Sequence, residues 1–173
     1  MPTNEFEGRS WAGDFPAVWQ RVVTDPHGFF ADMPETGGLN QPTTFLALCA
    51  GANALGHLLL FGSVGMLVWS FVWQMIAAFI MAAVFVLIAQ NLFQGRAGFE
   101  PTFRVVAYSW APLVVYWVPV VGVLAMIYSA YLLIRGLERV QGLDATRAVL
   151  TVALGIGVVW AIRAVRPGGT GWL

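Results

Sequence analysis

The sequence predicts an all-α integral membrane protein, a five-helix transmembrane bundle preceded by short amphipathic interfacial helices. Two observations carry this reading. Hydrophobic residues make up 58% of the 173-residue chain and charged residues 10%, against roughly 45–50% and 25% in soluble domains. The stretch from Pro101 to Val140 is apolar almost throughout, with Arg104 near one end and Arg135, Glu138 and Arg139 near the other. As one straight helix it would run about 60 Å, twice the ~30 Å hydrocarbon core of a bilayer. It must therefore fold back. Pro119 marks the reversal, because proline disfavours helical geometry in the residue before it and suits a first helical position. The expected product is a helical hairpin with Trp117 and Val118 at its tip and both basic ends on one side of the membrane.

Residues 1–42 read as a polar tail followed by two short helices. From Asp14, a plausible N-cap by residue type, Phe15, Val18, Trp19, Val22 and Val23 recur at helical spacing. Asp25 caps a second helix, Pro26 takes its first position, and Phe29, Phe30 and Met33 form its apolar side. Two placements are open: packing on the rest of the domain, or lying in the headgroup region with the aromatics in the bilayer. Residues 34–42 form a turn-rich linker.

Residues 43–165 form the transmembrane domain and 166–173 a short tail. On the first span, 43–62, Cys49, Asn53 and His57 share a face. Ionisable and polar groups in a membrane are costly and often functional, but they also serve helix packing through side-chain hydrogen bonds. Gly51, Ala52 and Gly56 allow the close approach that packing requires. The expected partners of Asn53 are the Tyr108 carbonyl, Ser109 or the Tyr128 hydroxyl. Cys49 and His57 supply two metal ligands where zinc takes three or four, so no metal or cofactor is expected. A link over 63–70 leads to the second span, about 71–93. The third begins at Pro101 with Glu100 as its cap. Pro112 falls inside it, deprives the Tyr108 carbonyl of its helical donor and predicts a bend, with Ser109 adjacent. On the fourth span Tyr128, Tyr131 and Arg135 line one side. Asp144 caps the fifth, about 145–164.

The segment YSWAP, followed by Pro119, Gly122, Tyr128, Gly136 and Arg147-Ala148, resembles the prokaryotic branch of the Yip family (Ypt-interacting proteins). The opening Trp19, Pro26, Phe29 and Phe30 fits the same pattern. The resemblance implies a five-span integral membrane protein with a cytosolic N-terminus. Eukaryotic members are linked to Rab-type GTPases and vesicle traffic; the acidic Gly-Pro motif those members carry ahead of their spans does not occur in this sequence. On the five-span arrangement Arg9, Arg21, Arg96, Arg104, Arg135, Arg139 and Arg147 lie on one side and Arg163 and Arg166 on the other. The positive-inside rule then makes the first side cytoplasmic, in the inner (plasma) membrane of the cell.

Several function classes are excluded. No nucleophile elbow, phosphate-binding glycine loop or zinc-protease helix motif occurs. No carboxylate lies inside a span, where proton-coupled carriers usually keep one. A net charge of +0 gives nucleic acid nothing to bind. The reading is a non-enzymatic membrane scaffold or adaptor of the Yip type, working through helix packing and a cytoplasmic face. Its expected partners are the lipid bilayer, further copies of itself, or another membrane or cytoplasmic protein. The competing reading is a small oligomeric pore or carrier for lipid or solute. That reading requires Asn53, His57, Tyr108, Ser109, Tyr128 and Tyr131 to converge on one polar path.

Overall fold

The structure, a computed structural model, describes residues 11–164. The expected tails to residue 10 and over 166–173, with Arg9 and Arg166, lie outside the described residues, as does the Arg163 side chain. Every regular element among the described residues is helical: α1 (Trp11–Thr24), α2 (Pro26–Asp32), α3 (Asn40–Phe61), α4 (Val64–Phe93), α5 (Phe99–Ser109), a 3₁₀ segment (Ala111–Val115), α6 (Val121–Gln141) and α7 (Ala145–Ala164).

Local chemistry sets most boundaries. Asp25 Oδ1 accepts from the Gly28 N–H at 3.0 Å and starts α2 as expected. Gly62 closes α3 in the left-handed conformation (φ 66°), which glycine adopts without a Cβ clash. Ser63 Oγ then accepts from the Met66 N–H at 3.3 Å and starts α4 at once. The link expected over 63–70 therefore shrinks to two residues. Asp14 is not a cap, since α1 already begins at Trp11. Gly98, not Glu100, caps α5, and α3 begins at Asn40 because its first turn tolerates Pro42.

Consecutive helices from α3 to α7 pack against one another, and α4 also packs on α7. Among the described residues three helices are long and apolar enough to cross a bilayer: Asn40–Leu60, Val64–Phe93 and Val121–Gln141; Ala145–Ala161 is a shorter apolar helix. The five full-length spans expected from sequence are thus three, with two shorter arms. The arm that departs most is α5, with 11 residues, about 16 Å long. The 5-residue 3₁₀ segment extends it by about 10 Å. This arm escapes the length rule because protein, not lipid, surrounds it. Thr102 through Ser109 are all 0% exposed, enclosed by α3, α4 and α6. The outer surface is the reverse: Leu55, Leu59, Val68, Leu87, Leu124 and Leu154 all face outward. An apolar periphery of this kind is a surface for lipid.

The two N-terminal helices pack on this bundle. Val22, Phe29 and Phe30 belong to its buried core, and the Phe29 ring meets Tyr108 edge-on at 4.9 Å. The expectation that these aromatics enter the bilayer is corrected: they enter the protein, where α5 offers them a larger apolar face than a headgroup region does.

At the far end the hairpin turns over residues 116–120. Trp117 tucks against α3 at Gly56, where a Cβ would lie 2.1 Å from the indole ring. Pro119 does not open α6; its carbonyl accepts from the Val121 N–H at 2.8 Å. Val120, between them, has φ 68° and ψ −56°, a strained turn conformation that is rare for a β-branched residue. Val120→Gly should relieve strain of about 1–3 kcal/mol and lose about 0.5–1 kcal/mol to glycine's freedom in the unfolded chain. The expected outcome is a higher unfolding temperature in detergent micelles; a lower one would contradict the strain. Gly136→Ala should act oppositely. Its methyl would lie 2.4 Å from Val105 Cγ1 at the α5–α6 crossing, and overpacking there should cost about 1–3 kcal/mol, read in the same unfolding experiment.

Candidate functional site: the broken arm and the charged end

Pro112 does not bend the third arm; it ends the α-helix. Proline has no N–H to give the Tyr108 carbonyl, and α5 stops at Ser109. The Leu113 N–H bonds the Trp110 carbonyl at 2.9 Å in 3₁₀ fashion, so it no longer serves Ser109. Three carbonyls of this segment then each take a donor from a different helix. Ser129 Oγ on α6 donates to the Ser109 carbonyl. Trp19 Nε1 on α1 donates to the Ala111 carbonyl at 2.8 Å. Asn53 Nδ2 on α3 donates to the Leu113 carbonyl at 2.6 Å, which also accepts from the Tyr116 N–H at 3.0 Å.

Asn53 thus faces protein, 2% exposed, but none of its three expected partners is the one it finds. Its other side-chain atom, Oδ1, accepts from Gln74 Nε2 at 3.4 Å, and Gln74 is held in turn by Ser70 Oγ at 2.9 Å. His57 is only half-buried, so the expectation that both residues are enclosed holds for Asn53 alone. The Tyr128 hydroxyl donates to the Val23 carbonyl of α1 at 2.7 Å, and Tyr131, stacked on it at 5.7 Å, faces outward. Tyr108 is enclosed between Phe29 and Phe45. Asn53, Tyr108 and Tyr128 thus make separate contacts, with the Leu113 carbonyl, with the Phe29 and Phe45 rings, and with the Val23 carbonyl.

Charge is segregated. No Asp, Glu or Arg occurs in 36–95, 105–134 or 148–162. The charges between these stretches gather where α5 begins, α6 ends and α7 begins. Glu100 Oε1 accepts from the Gly38 N–H at 2.7 Å, and Arg104 donates to the Gly38 carbonyl at 2.9 Å, so the two peptides flanking the Gly38 Cα in the α2–α3 linker are both gripped. Arg104 is nonetheless 0% exposed. Arg96 donates to the carbonyls of Val140 and Arg139, both at 3.3 Å, at the end of α6, where a cation also meets the negative end of the helix dipole. Gln141, buried beside it, accepts from the Ala97 N–H and donates to the Ala97 carbonyl and to Thr102 Oγ1. Glu35 bridges Arg139 at 3.4 Å and Arg96 at 3.9 Å. Arg135, expected to share a side with Tyr128 and Tyr131, pairs with Glu138 at 2.7 Å and lies against the His27 ring of α2.

Sequence reasoning singled out neither Ser129 nor the Trp19 indole as donors, nor Gln141 as a pin, nor Glu35 as a bridge. Only the break at Pro112 gave a signal, by announcing that donors would be needed.

The bonding order gives a test. Ser129→Ala should cost about 1–3 kcal/mol, since Pro112 has no N–H and the Leu113 N–H is taken by Trp110, leaving the Ser109 carbonyl to Ser129. Asn53→Leu should cost about 1 kcal/mol, because the Leu113 carbonyl keeps Tyr116. Unfolding of both variants in detergent checks the ranking. A Ser129→Ala variant as stable as the parent would overturn it.

A family model described as the Yip1 domain matches residues 21–162, most of the chain. No curated protein and no solved structure matches.

Proposed function

The chain belongs to the Yip1 domain family, and from that premise we propose that it is a non-enzymatic membrane scaffold or adaptor that presents its charged end to a partner at the cytoplasmic face of the inner membrane. The bundle is multi-pass, with five passages, of which the α5 arm is shielded by its neighbours. The N-terminal helices and the charged end are cytoplasmic, and the residue 116–120 turn is on the other side. Further copies of the chain, or a second membrane or cytoplasmic protein, are the partners.

One observation carries this reading. Trp19, Asn53, Tyr128 and Ser129 each spend a side-chain donor on holding helices together, while the charges of residues 96–147 gather where α5 begins, α6 ends and α7 begins. A protein that works on a solute would keep polar groups unspent along a path. Here the surface with varied chemistry is the charged end, and the arginine-bearing end of a membrane bundle is the cytoplasmic one.

Topology and adaptor role are tested together. Single cysteines at Val120 and Thr146, both exposed, are placed in a Cys49→Ala background. An impermeant thiol reagent added outside intact cells should label the first and spare the second until the membrane is opened. A photocrosslinker at Asp32 or Asp144 should form discrete protein adducts that one at Leu124, on the lipid-facing side, does not. Labelling of both cysteines from outside would refute the orientation. Solute or lipid flux through reconstituted vesicles, abolished by Asn53→Leu, would refute the adaptor role.

A further inference from the structure

An open cleft of about 270 Å³ lies between α2 and α6, lined by Pro26, His27, Phe30 and Ala31 on one side and Arg135, Glu138 and Arg139 on the other. It is smaller than the roughly 300–1,000 Å³ of a drug-sized site. Its walls are apolar toward Phe30 and basic toward α6. Arg135 spends Nη1 on Glu138. On its remaining fork, the Nε–Nη2 edge, Nη2 touches the exposed His27 ring, and Nε is buried with no hydrogen-bond partner among the described residues. Such a fork matches two oxygens of a phosphate. Arg139 is 45% exposed at its side chain, and the carboxylate it meets, Glu35, is also held by Arg96. The cleft therefore has cationic capacity left after its internal pairs are counted.

A second feature says what brings the phosphate. Leu124, Ile127 and Tyr131 are 62%, 60% and 39% exposed and precede Arg135 at steps of three and four along α6, which sets them on one face. From Leu124 to Arg135 the helix rises about 16 Å, the hydrocarbon depth of about one leaflet. An outward apolar stripe one leaflet long thus runs directly into a basic cleft. A free phosphate has no use for the stripe; a phospholipid fits both parts.

We propose that this groove binds one anionic phospholipid of the cytoplasmic leaflet, its acyl chain along Leu124, Ile127 and Tyr131 and its phosphate on the Nε–Nη2 edge of Arg135, flanked by Arg139 and a displaced His27. The inference rests on the membrane placement proposed above but not on the adaptor role. The occupied groove would tie α2 to α6 through the headgroup, so the lipid acts as a staple on the charged end.

The full chain is purified into phosphatidylcholine nanodiscs doped with phosphatidylglycerol, delipidated stepwise in detergent, and its retained lipid read by native mass spectrometry. A single phosphatidylglycerol per chain should persist. Its affinity should fall by roughly tenfold or more in Arg135→Gln, as for one lost charge-assisted hydrogen bond. Ala31→Trp, which fills the cleft and keeps every charge, should lose the lipid equally and decides the matter where Arg135→Gln does not fold. Arg147→Gln, at the same end but outside the cleft, should retain it. Retention by Ala31→Trp, or loss from Arg147→Gln alike, would overturn the site. Displacement of the lipid by inorganic phosphate alone would make it a free-anion site and overturn the lipid assignment. A chain extracted from membranes by alkaline carbonate would instead break the underlying placement, an outcome separate from the rest.

Discussion

Inside a bundle surrounded by lipid, a peptide carbonyl that loses its helical donor has no water to fall back on. The structure depends on how that constraint is met at Ser109–Leu113. Pro112 ends the α-helix in the most enclosed part of the molecule, and the exposed acceptors are served by α6, α1 and α3, each through a different side chain. These three helices are far apart in sequence. The break makes them converge, because each must approach closely enough for a side chain to reach a carbonyl. A continuous helix would have satisfied itself and demanded nothing of its neighbours.

The same demand explains why α1 and α2 are part of the bundle. A short amphipathic helix has little reason to choose protein over the membrane surface on apolar area alone. Trp19 and the Val23 carbonyl change that balance, since both are polar handles that pair with groups of the buried arm and of α6. With those pairs fixed, Phe29 and Phe30 close over α5 and complete its enclosure. Gly136 is the matching concession on α6: its missing side chain makes room for both Val105 and Phe30.

The fold class, the hairpin and the location of the break were legible because they are local or compositional. Apolar run length, a proline with a known missing donor, and Asp25-Pro26 as a helix start need no knowledge of the tertiary arrangement. The partners were not legible. Asn53 was expected to bond Tyr108, Ser109 or Tyr128, and the reasoning that it needed a protein partner holds; the identity fails because a 3₁₀ segment rotates the Leu113 carbonyl toward α3, and nothing in the sequence announces the switch from α to 3₁₀. Span count fails for a related reason. The ~30 Å rule applies to helices that touch lipid, and sequence periodicity does not tell a lipid-facing apolar helix from one enclosed by protein. The eight fully buried residues of α5 contain Arg104 and Thr102, which on paper look like an exposed side.

All nine basic residues of the chain are arginine, which from composition alone looks like a base-usage accident. The charged end gives it a physical use. Arg96 reaches two successive carbonyls at the end of α6 with two different nitrogens, and Arg135 serves Glu138 with one nitrogen while another meets His27. Each depends on a planar fork with donors pointing in fixed, separate directions. A lysine ammonium is a compact, strongly hydrated point charge and would have to choose among these acceptors. Arg104 makes the point most sharply, because at 0% exposure its charge is tolerable only with several donors satisfied at once. Its hold on Gly38, opposite Glu100, fixes the linker from which α3 departs. Forked arginines thus fix backbone carbonyls at this end as Ser129, Trp19 and Asn53 do in the interior.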